Sequence, residues 1–236
     1  MGEINCEGRS TREINAEIRQ QIDQGNTHIE VQNPGARHNL GVAILQAVTL
    51  RLNGSVGYYC AGLIDGPKFE IAGSAGWGLA ESMMNGHVTV HGSAGNGAAA
   101  ALRGGTVVIY RDAAARVGIS MKGGTVLVGG SCGYMAGFMG QKGTLIVCGD
   151  AGEAFADSMY ETVCFVGGSI RELGTDAVEQ KATPEDAKFI DSMLAQHFPA
   201  NIRNTKPMGR DFRKITAGRR LWNFDKREWK VWQEAL

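Results

Sequence analysis

Glycines recur at a fixed step of 19 residues through the middle of this chain, and no other feature restricts its fold as strongly. Aliphatic residues keep the same step, so the repeat involves more than one residue type. A short repeat sustained over many units is typical of a solenoid, in which each unit buries its apolar face against its neighbours. The positions that share the step are Gly73, Gly92, Gly130, Gly149 and Gly168; Gly76, Gly95, Gly133 and Gly152; Gly86, Gly105, Gly124 and Gly143; and Leu50, Phe69, Val88, Val107, Val126, Leu145 and Cys164, with Arg111 in the one rung of the first ladder that lacks glycine.

Within each repeat, the order of residues predicts short strands joined by tight corners. Apolar residues alternate over three positions, as they do along a strand. A G-x-x-G pair follows, and glycine permits either positive φ or close backbone approach at a corner. We therefore expect an all-β core, a parallel β-helix of six or seven turns with about 19 residues per turn over residues 49–172. Its inward-facing stack contains Val88, Val107, Val126 and Leu145.

The segments on either side predict short α-helices. In residues 1–48, Ser10 and Glu13 match a capping box that begins a helix, and a strand follows. The helix and the strand are expected to cap the coil. In residues 173–236, a polar linker precedes a second helix, which begins at Thr183 and Pro184. The remaining assignments are the face and end of the first helix (Ile14, Ile18, Ile22 and Gly25), the strand (27–31), the linker (to Lys181), and the face and end of the second helix (Phe189, Ile190, Met193, Leu194 and Pro199).

The last 38 residues are expected to form an extended, basic and aromatic C-terminal tail. Residues 199–236 hold ten Lys or Arg against four Asp or Glu, and three of the four tryptophans. Such aromatic surface is not left in water, so the tail either folds back on the coil or docks on another subunit. Single-stranded nucleic acid also binds basic and aromatic segments, but the rest of the chain is acidic. The candidate interface residues are Trp222, Trp229, Trp232, Arg213 and Phe224, since Trp and Arg dominate interface hot spots.

No complete catalytic, cofactor or metal site is predicted in this chain. The glycine pairs recur without a following helix or a Walker lysine, so they indicate corners and not a phosphate loop. His87 and His91 would lie on one strand face about 13 Å apart, too far to share a metal. The five cysteines are dispersed, which favours buried, reduced thiols. His91, Tyr110 and Cys148 share one rung position and are expected to stack, while Glu81, Asp112, Asp150, Glu153 and Asp157 are expected on a solvated face.

Charge and composition exclude several further classes. The 24 basic and 24 acidic residues cancel, so no nucleic-acid or membrane-surface partner is expected. No secretory signal or apolar span is recognisable, which favours a cytoplasmic protein. The step of 19 excludes an acyltransferase of the left-handed hexapeptide class, whose turns have 18 residues. No aromatic or carboxylate ladder on an open face is recognised, which argues against a sugar-binding β-helix.

The coil resembles the C-terminal glycine-motif domain of the glutamate synthase large subunit, and also the formylmethanofuran dehydrogenase subunit that shares this coil. The resemblance covers about residues 28–172 and is carried by 39–43, Gly73–Gly76, Gly104–Val108 and Gly123–Leu127. It implies a right-handed β-helix. It also implies that the amidotransferase and FMN domains, which share a chain with this domain in glutamate synthases, are separate subunits here.

The stand-alone form, with the segments Phe212–Lys214 and Trp222–Phe224, looks most like the glycine-motif subunit of the three-subunit N-methylglutamate synthase (methylamine–glutamate N-methyltransferase). That resemblance implies an enzyme subunit that is not itself catalytic. Its partners would be an amidotransferase-like subunit and a subunit with FMN and an iron–sulfur cluster. The implied reaction converts methylamine and L-glutamate to N-methyl-L-glutamate and ammonia. An ordinary glutamate synthase subunit and a formylmethanofuran dehydrogenase-like scaffold remain alternatives.

Overall fold

A computed structural model describes residues 2–218, which form a parallel β-solenoid of about seven turns with about 19 residues per turn. One sheet of 11 strands runs along the coil, with one α-helix at its N-terminal end and the others on the outer face of its later strands. This confirms the predicted fold class. The elements are β1 (Gly2–Asn5), α1 (Thr11–Asp23), β2 (His28–Gln32), β3 (Thr49–Asn53), β4 (Asp65–Ile71), β5 (Asn85–Val90), β6 (Thr106–Ile109), β7 (Lys122–Val128), β8 (Lys142–Val147), β9 (Glu161–Val166), β10 (Ala177–Gln180), α2 (Pro184–His197), α3 (Ala200–Arg203) and β11 (Arg213–Ala217), with a short 3₁₀ helix at Gly209–Asp211.

Each strand from β1 to β8 pairs in parallel with the next strand along the chain. In the central turns the register equals the sequence repeat, so that Val88 pairs with Val107, Val107 with Val126, and Val126 with Leu145. These side chains are fully buried and belong to one continuous core. The predicted inward stack is therefore confirmed. A turn cannot bury this row alone, so the stacking of turns stabilises the coil.

The glycine ladders have two different physical causes. At Gly92, a Cβ atom would lie 2.8 Å from the carbonyl oxygen of Gly73 on the preceding turn, so this ladder permits close approach without positive φ. At Gly105, φ is +77°, and a Cβ would also lie 2.4 Å from the carbonyl oxygen of Gly86. Both causes that we proposed for corner glycines are thus present: close approach on the first ladder, and positive φ together with close approach on the second.

A third stretch of each turn adopts positive φ mainly at residues other than glycine. Ala80, Ala99 and Ala156 have φ between 54° and 59°, a conformation that costs about 1 kcal/mol or more for such residues. Hydrogen bonds between turns compensate: the N–H of Ala80 donates to the Cys60 carbonyl at 2.9 Å, and that of Ser82 donates to the Ala100 carbonyl at 2.8 Å. The sequence pattern did not indicate this stretch, because most of its positive-φ residues are not glycines.

Polar side chains form a ladder beside the first glycine row. The Ser74 hydroxyl oxygen accepts from the Ser93 N–H at 3.2 Å, the Ser131 hydroxyl oxygen accepts from the Asp150 N–H at 3.0 Å, and the Asp150 carboxylate accepts from the Ser169 N–H at 2.7 Å. Bonds to the Ser169 N–H and hydroxyl lower the pKa of Asp150. Asp150, predicted only to be solvated, therefore also has a structural role.

The N-terminal end of the coil is covered by α1. The capping box of Ser10 and Glu13 is confirmed, and Ile14 and Ile18 are buried against the coil. The Asn15 side chain donates to the Asn39 carbonyl and accepts from the Gly41 N–H, both at 2.8 Å. These bonds fix the helix on the first turn.

At the other end, the chain reverses direction. The strand β11 pairs antiparallel with β9, and β10 pairs antiparallel with β11 at the sheet edge. The segment that we expected to be a linker thus contains β10. Its side chains are mostly exposed and show no apolar alternation, and its partner strand follows more than 30 residues later, so local sequence did not predict it.

The predicted second helix is confirmed as α2, with a capping box of Thr183 and Asp186. We use the term C-terminal layer for residues 184–212, which pack on the outer face of the sheet. This layer and the sheet form a second apolar cluster. The cluster comprises Val108, Leu127, Ile146, Cys148 and Phe165 from the sheet and Ile190, Leu194, Phe198 and Phe212 from the layer. Among residues 2–218, no helix has the length and apolarity needed to cross a bilayer.

Candidate interaction surfaces

The cysteines are free and buried, as predicted. Burial raises the pKa of Cys60, Cys132 and Cys148 to about 12, and it also raises the pKa of Cys6 and Cys164. Nucleophilic catalysis and metal binding both require a thiolate. The cysteines therefore act as small apolar side chains. Within residues 2–218, no three His, Cys, Asp or Glu side chains are grouped so that they could hold a metal ion.

A group of titratable rings lies where the C-terminal layer meets the coil. The His87 ring on β5 stacks on the His197 ring at the end of α2, with 5.1 Å between centroids. The Tyr110 hydroxyl donates to the His197 carbonyl at 3.0 Å. Burial, with a smaller contribution from the positive charges of His197 and Lys68, lowers the pKa of His87 to about 4, and burial lowers the pKa of His197. These groups join two parts of the chain.

The predicted row of His91, Tyr110 and Cys148 is only partly a stack. The rings of His91 and Tyr110 are in contact, with 4.6 Å between centroids. Gly129 occupies the next rung, and a Cβ there would lie 3.0 Å from the ring of Phe198. The Tyr110 ring meets Phe198 edge-on. This row therefore packs against Phe198 of the C-terminal layer and does not form an open polar ladder.

An aromatic ladder is exposed on the first turns of the coil, and our expectation that no such ladder exists was wrong. The rings of His38 and Tyr58 are stacked at 4.4 Å, and those of Tyr58 and Trp77 at 5.2 Å. Trp77 is 51% exposed. We missed the ladder because His38 lies 20 residues before Tyr58 and the next rung is Asn96, although the 19-residue step from Tyr58 to Trp77 was a usable signal.

This ladder is unsuited to a sugar-binding platform. A platform offers the face of a ring to the sugar, whereas the Tyr58 ring stacks on both His38 and Trp77, and each of those two rings uses one face in this contact. Ring edges with polar tips are left for solvent, and such aromatic surface is typical of protein interfaces. The ladder therefore favours contact with another polypeptide.

A cavity of about 400 Å³ adjoins the ladder. The residues that line it include Val42, Tyr59, Leu63 and Glu81. Tyr59 and Leu63 are 46% and 58% exposed. A wider groove of about 890 Å³ runs along α1 and shares Asn39 and Val42 with this cavity. We call Tyr58, Tyr59, Leu63, Trp77 and Glu81 the aromatic patch.

Of the interface residues predicted in the tail, only Arg213 lies within the described residues. Its guanidinium forms two hydrogen bonds with the Glu179 carboxylate, which tie β11 to β10. Arg213 therefore has a partner within the chain, and its role at a subunit interface stays a prediction. Trp222, Phe224, Trp229 and Trp232 lie outside the described residues.

Comparison with known proteins finds a relative that matches most of this chain. Protein GlxC of Rhizobium meliloti (strain 1021) is 47% identical over 216 residues, which are 91% of this chain and 92% of that protein. No protein-family model matches the chain. At this identity and coverage, the chain belongs to the same family as Protein GlxC.

Proposed function

This chain belongs to the family of Protein GlxC, and from that membership and its glutamate synthase-like glycine coil we propose that it is a non-catalytic assembly subunit of a multi-subunit enzyme. The observation that carries this proposal is the combination of a rigid coil with an exposed aromatic patch. Hydrogen bonds join successive turns on every side of the coil. Its thiols are buried and its clustered histidines are used within the fold.

The specific reaction that we propose is that of N-methylglutamate synthase. Methylamine and L-glutamate would be converted to N-methyl-L-glutamate and ammonia in cytoplasmic complexes with two partners, an amidotransferase-like subunit and an FMN and iron–sulfur subunit. Because the five cysteines of this chain are buried thiols, they are unsuited to binding an iron–sulfur cluster, and we assign the cluster to the partner. The same coil would also serve a glutamate synthase that uses ammonia, or a formylmethanofuran dehydrogenase-like enzyme.

The role that we assign to the coil is to hold partner subunits at a fixed spacing. A released amine then passes between active sites without escaping to solvent, which raises its effective concentration. A parallel coil with about 19 residues per turn suits this role because each turn advances by one strand spacing, about 4.8 Å. The distance between two docking surfaces is then set by the number of turns between them.

The test is purification of the tagged chain from its native cells, with identification of the co-purifying proteins and a visible absorption spectrum. We expect an amidotransferase-like protein and a yellow flavoprotein. Turnover with methylamine against ammonia then separates the two synthase reactions, and a molybdenum or tungsten partner would indicate the formylmethanofuran alternative. A colourless chain that purifies alone would contradict the proposal.

The tail offers a more specific prediction. Replacing Trp229 and Trp232 together by Ala should reduce co-purification of partners while leaving the unfolding transition of the coil unchanged, because tryptophans dominate interface hot spots. The matched control is Gln233→Ala in the same segment. A double variant that assembles normally but loses coil stability would show that the tryptophans pack within the chain.

A further inference from the structure

The aromatic patch contains a carboxylate that the fold does not use. The Glu81 side chain is half-buried, and it makes no hydrogen bond or ion pair that we find with residues 2–218. By contrast, Glu13, Glu70, Glu179 and Asp186 each bind a hydroxyl or a cation of the chain. A half-buried carboxylate without a partner has lost some hydration, and a cation that enters the cavity would compensate for that loss.

The surroundings of Glu81 are suited to a cation with a planar face. A Cβ atom on Gly78 would lie 2.6 Å from Cε1 of the Tyr59 ring and 3.1 Å from Oε2 of Glu81, so the ring and the carboxylate lie side by side over this glycine. Val42 and Leu63 add apolar walls to the same cavity. A guanidinium can stack on an aromatic ring and bind a carboxylate with two hydrogen bonds, whereas an ammonium acts as a point charge.

Continuity with the aromatic ladder indicates where the cation comes from. Tyr58 precedes Tyr59 in the chain and stacks against Trp77, and both rings are exposed, so exposed aromatic surface flanks a residue that lines the cavity. A small free cation would contact the cavity alone. A polypeptide that inserts one arginine would also cover Tyr58 and Trp77, and Trp, Tyr and Arg are the residues enriched in interface hot spots.

We propose that the cavity formed by Tyr59, Leu63 and Glu81 binds an arginine side chain of a partner subunit, and that the exposed edges of Tyr58 and Trp77 bind the apolar residues around it. The identity of the occupant as a subunit rests on the proposed function. The preference of the cavity for a guanidinium does not, and it is tested separately on the isolated full-length chain.

The first experiment uses N-acetyl-L-arginine amide as a probe and follows the Leu63 methyl and Tyr59 ring signals by NMR. In the wild-type chain we expect saturable shifts at millimolar probe. In Glu81→Gln the apparent affinity should fall about tenfold, as expected when a close opposite charge is lost. The control Glu161→Gln removes an exposed carboxylate elsewhere on the coil and should bind the probe like the wild type. If the wild-type signals do not move, or Glu81→Gln binds the probe equally well, the inference is wrong.

The second experiment identifies the occupant in the native complex. A photo-crosslinking residue at position 63 should capture an arginine-containing peptide of a partner subunit, and Glu81→Gln should reduce that product about tenfold. Capture of residues 219–236 of this chain or of a second copy would overturn the assignment to a partner, as would an intact complex without a crosslink. If the wild-type chain recruits no partner, the proposed function fails, and the probe titration still decides whether the cavity binds a guanidinium.

Discussion

On the outer face of the sheet, Glu30, Arg51 and Glu70 occupy a row on β2–β4, and the same row holds Leu127 and Ile146 on β7 and β8. The first three residues are exposed or half-buried, and the last two are fully buried beneath the C-terminal layer. The inner row differs far less, because it is apolar and buried along the whole coil. The coil therefore has a uniform apolar interior, while its outer face is charged and open on the early turns and apolar and covered on the later turns.

This difference shows that the repeat determines the coil, while the outward residues determine what lies on it. The strand β5 is the boundary between the open and the covered parts of the outer face. Its outward residues are Thr89 and His87, and the His87 ring contacts His197 at the end of α2. Up to β4 the sheet faces solvent with charges, and the aromatic patch lies on these same early turns. The later turns are covered by the chain itself, so we expect partner contacts of the described residues on the early turns.

The largest expected effect on stability comes from truncating a covered residue of this outer row, and an open residue of the same row serves as the comparison. Ile146→Ala should lower the free energy of unfolding by about 2–4 kcal/mol, because it removes buried methyl groups and leaves a cavity under α2. Arg51→Ala, at the exposed end of the row, should change it by about 0.5 kcal/mol or less. Denaturant-induced unfolding of both variants measures the two values.

Equal losses would contradict the division into covered and open halves. A large loss in Arg51→Ala would indicate that the open face is packed by part of the chain outside residues 2–218. A small loss in Ile146→Ala would indicate that α2 does not cover the sheet in solution.

The sequence predicted the coil well because its information is periodic. The step of 19 fixes the register, so Val88, Val107 and Val126 could be placed in one stack without any long-range information. The strand β10 was missed because it depends on a pairing with β11, which is distant in the chain. The stretch with positive φ at Ala80 and Ala99 was missed because hydrogen bonds between turns, and not residue type, impose that conformation.

The candidate site was harder to predict than the fold because it is not periodic. The ladder of His38, Tyr58 and Trp77 occupies only three rungs, with unequal spacing. Glu81 was assigned to a solvated face, since a single carboxylate gives no sign of whether the fold will supply its partner. Glu81 lies beside Tyr59 because the turn that contains Gly78 and Glu81 stacks on the turn that contains Tyr59. The sequence does not reveal this contact.

A smaller effect is expected where the C-terminal layer is attached to the coil. Tyr110→Phe removes the hydrogen bond to the His197 carbonyl and keeps the ring contacts with His91 and Phe198. We expect a loss of about 1 kcal/mol, a typical net value for one hydrogen bond. Hydrogen exchange should accelerate in the last turn of α2 and stay unchanged in β2–β4. Faster exchange along the whole coil would show that the layer stabilises both halves.

The smallest effect that we predict is a pH dependence at the boundary itself. The pKa of His87 is lowered, chiefly by burial and also by His197 and Lys68, to about 4, while Glu70 acts in the opposite direction. The folded state thus favours the neutral ring, so this contribution to stability is complete above pH 6.5 and is lost as the pH falls toward 4.

His87→Gln should lose less stability than the wild type over that interval, as measured by thermal unfolding at each pH. Because His87 and His197 are only half-buried, water screens their charges, and the difference should be below that for Tyr110→Phe. Parallel pH profiles for the two proteins would show that the contact of His87 with α2 does not depend on its charge.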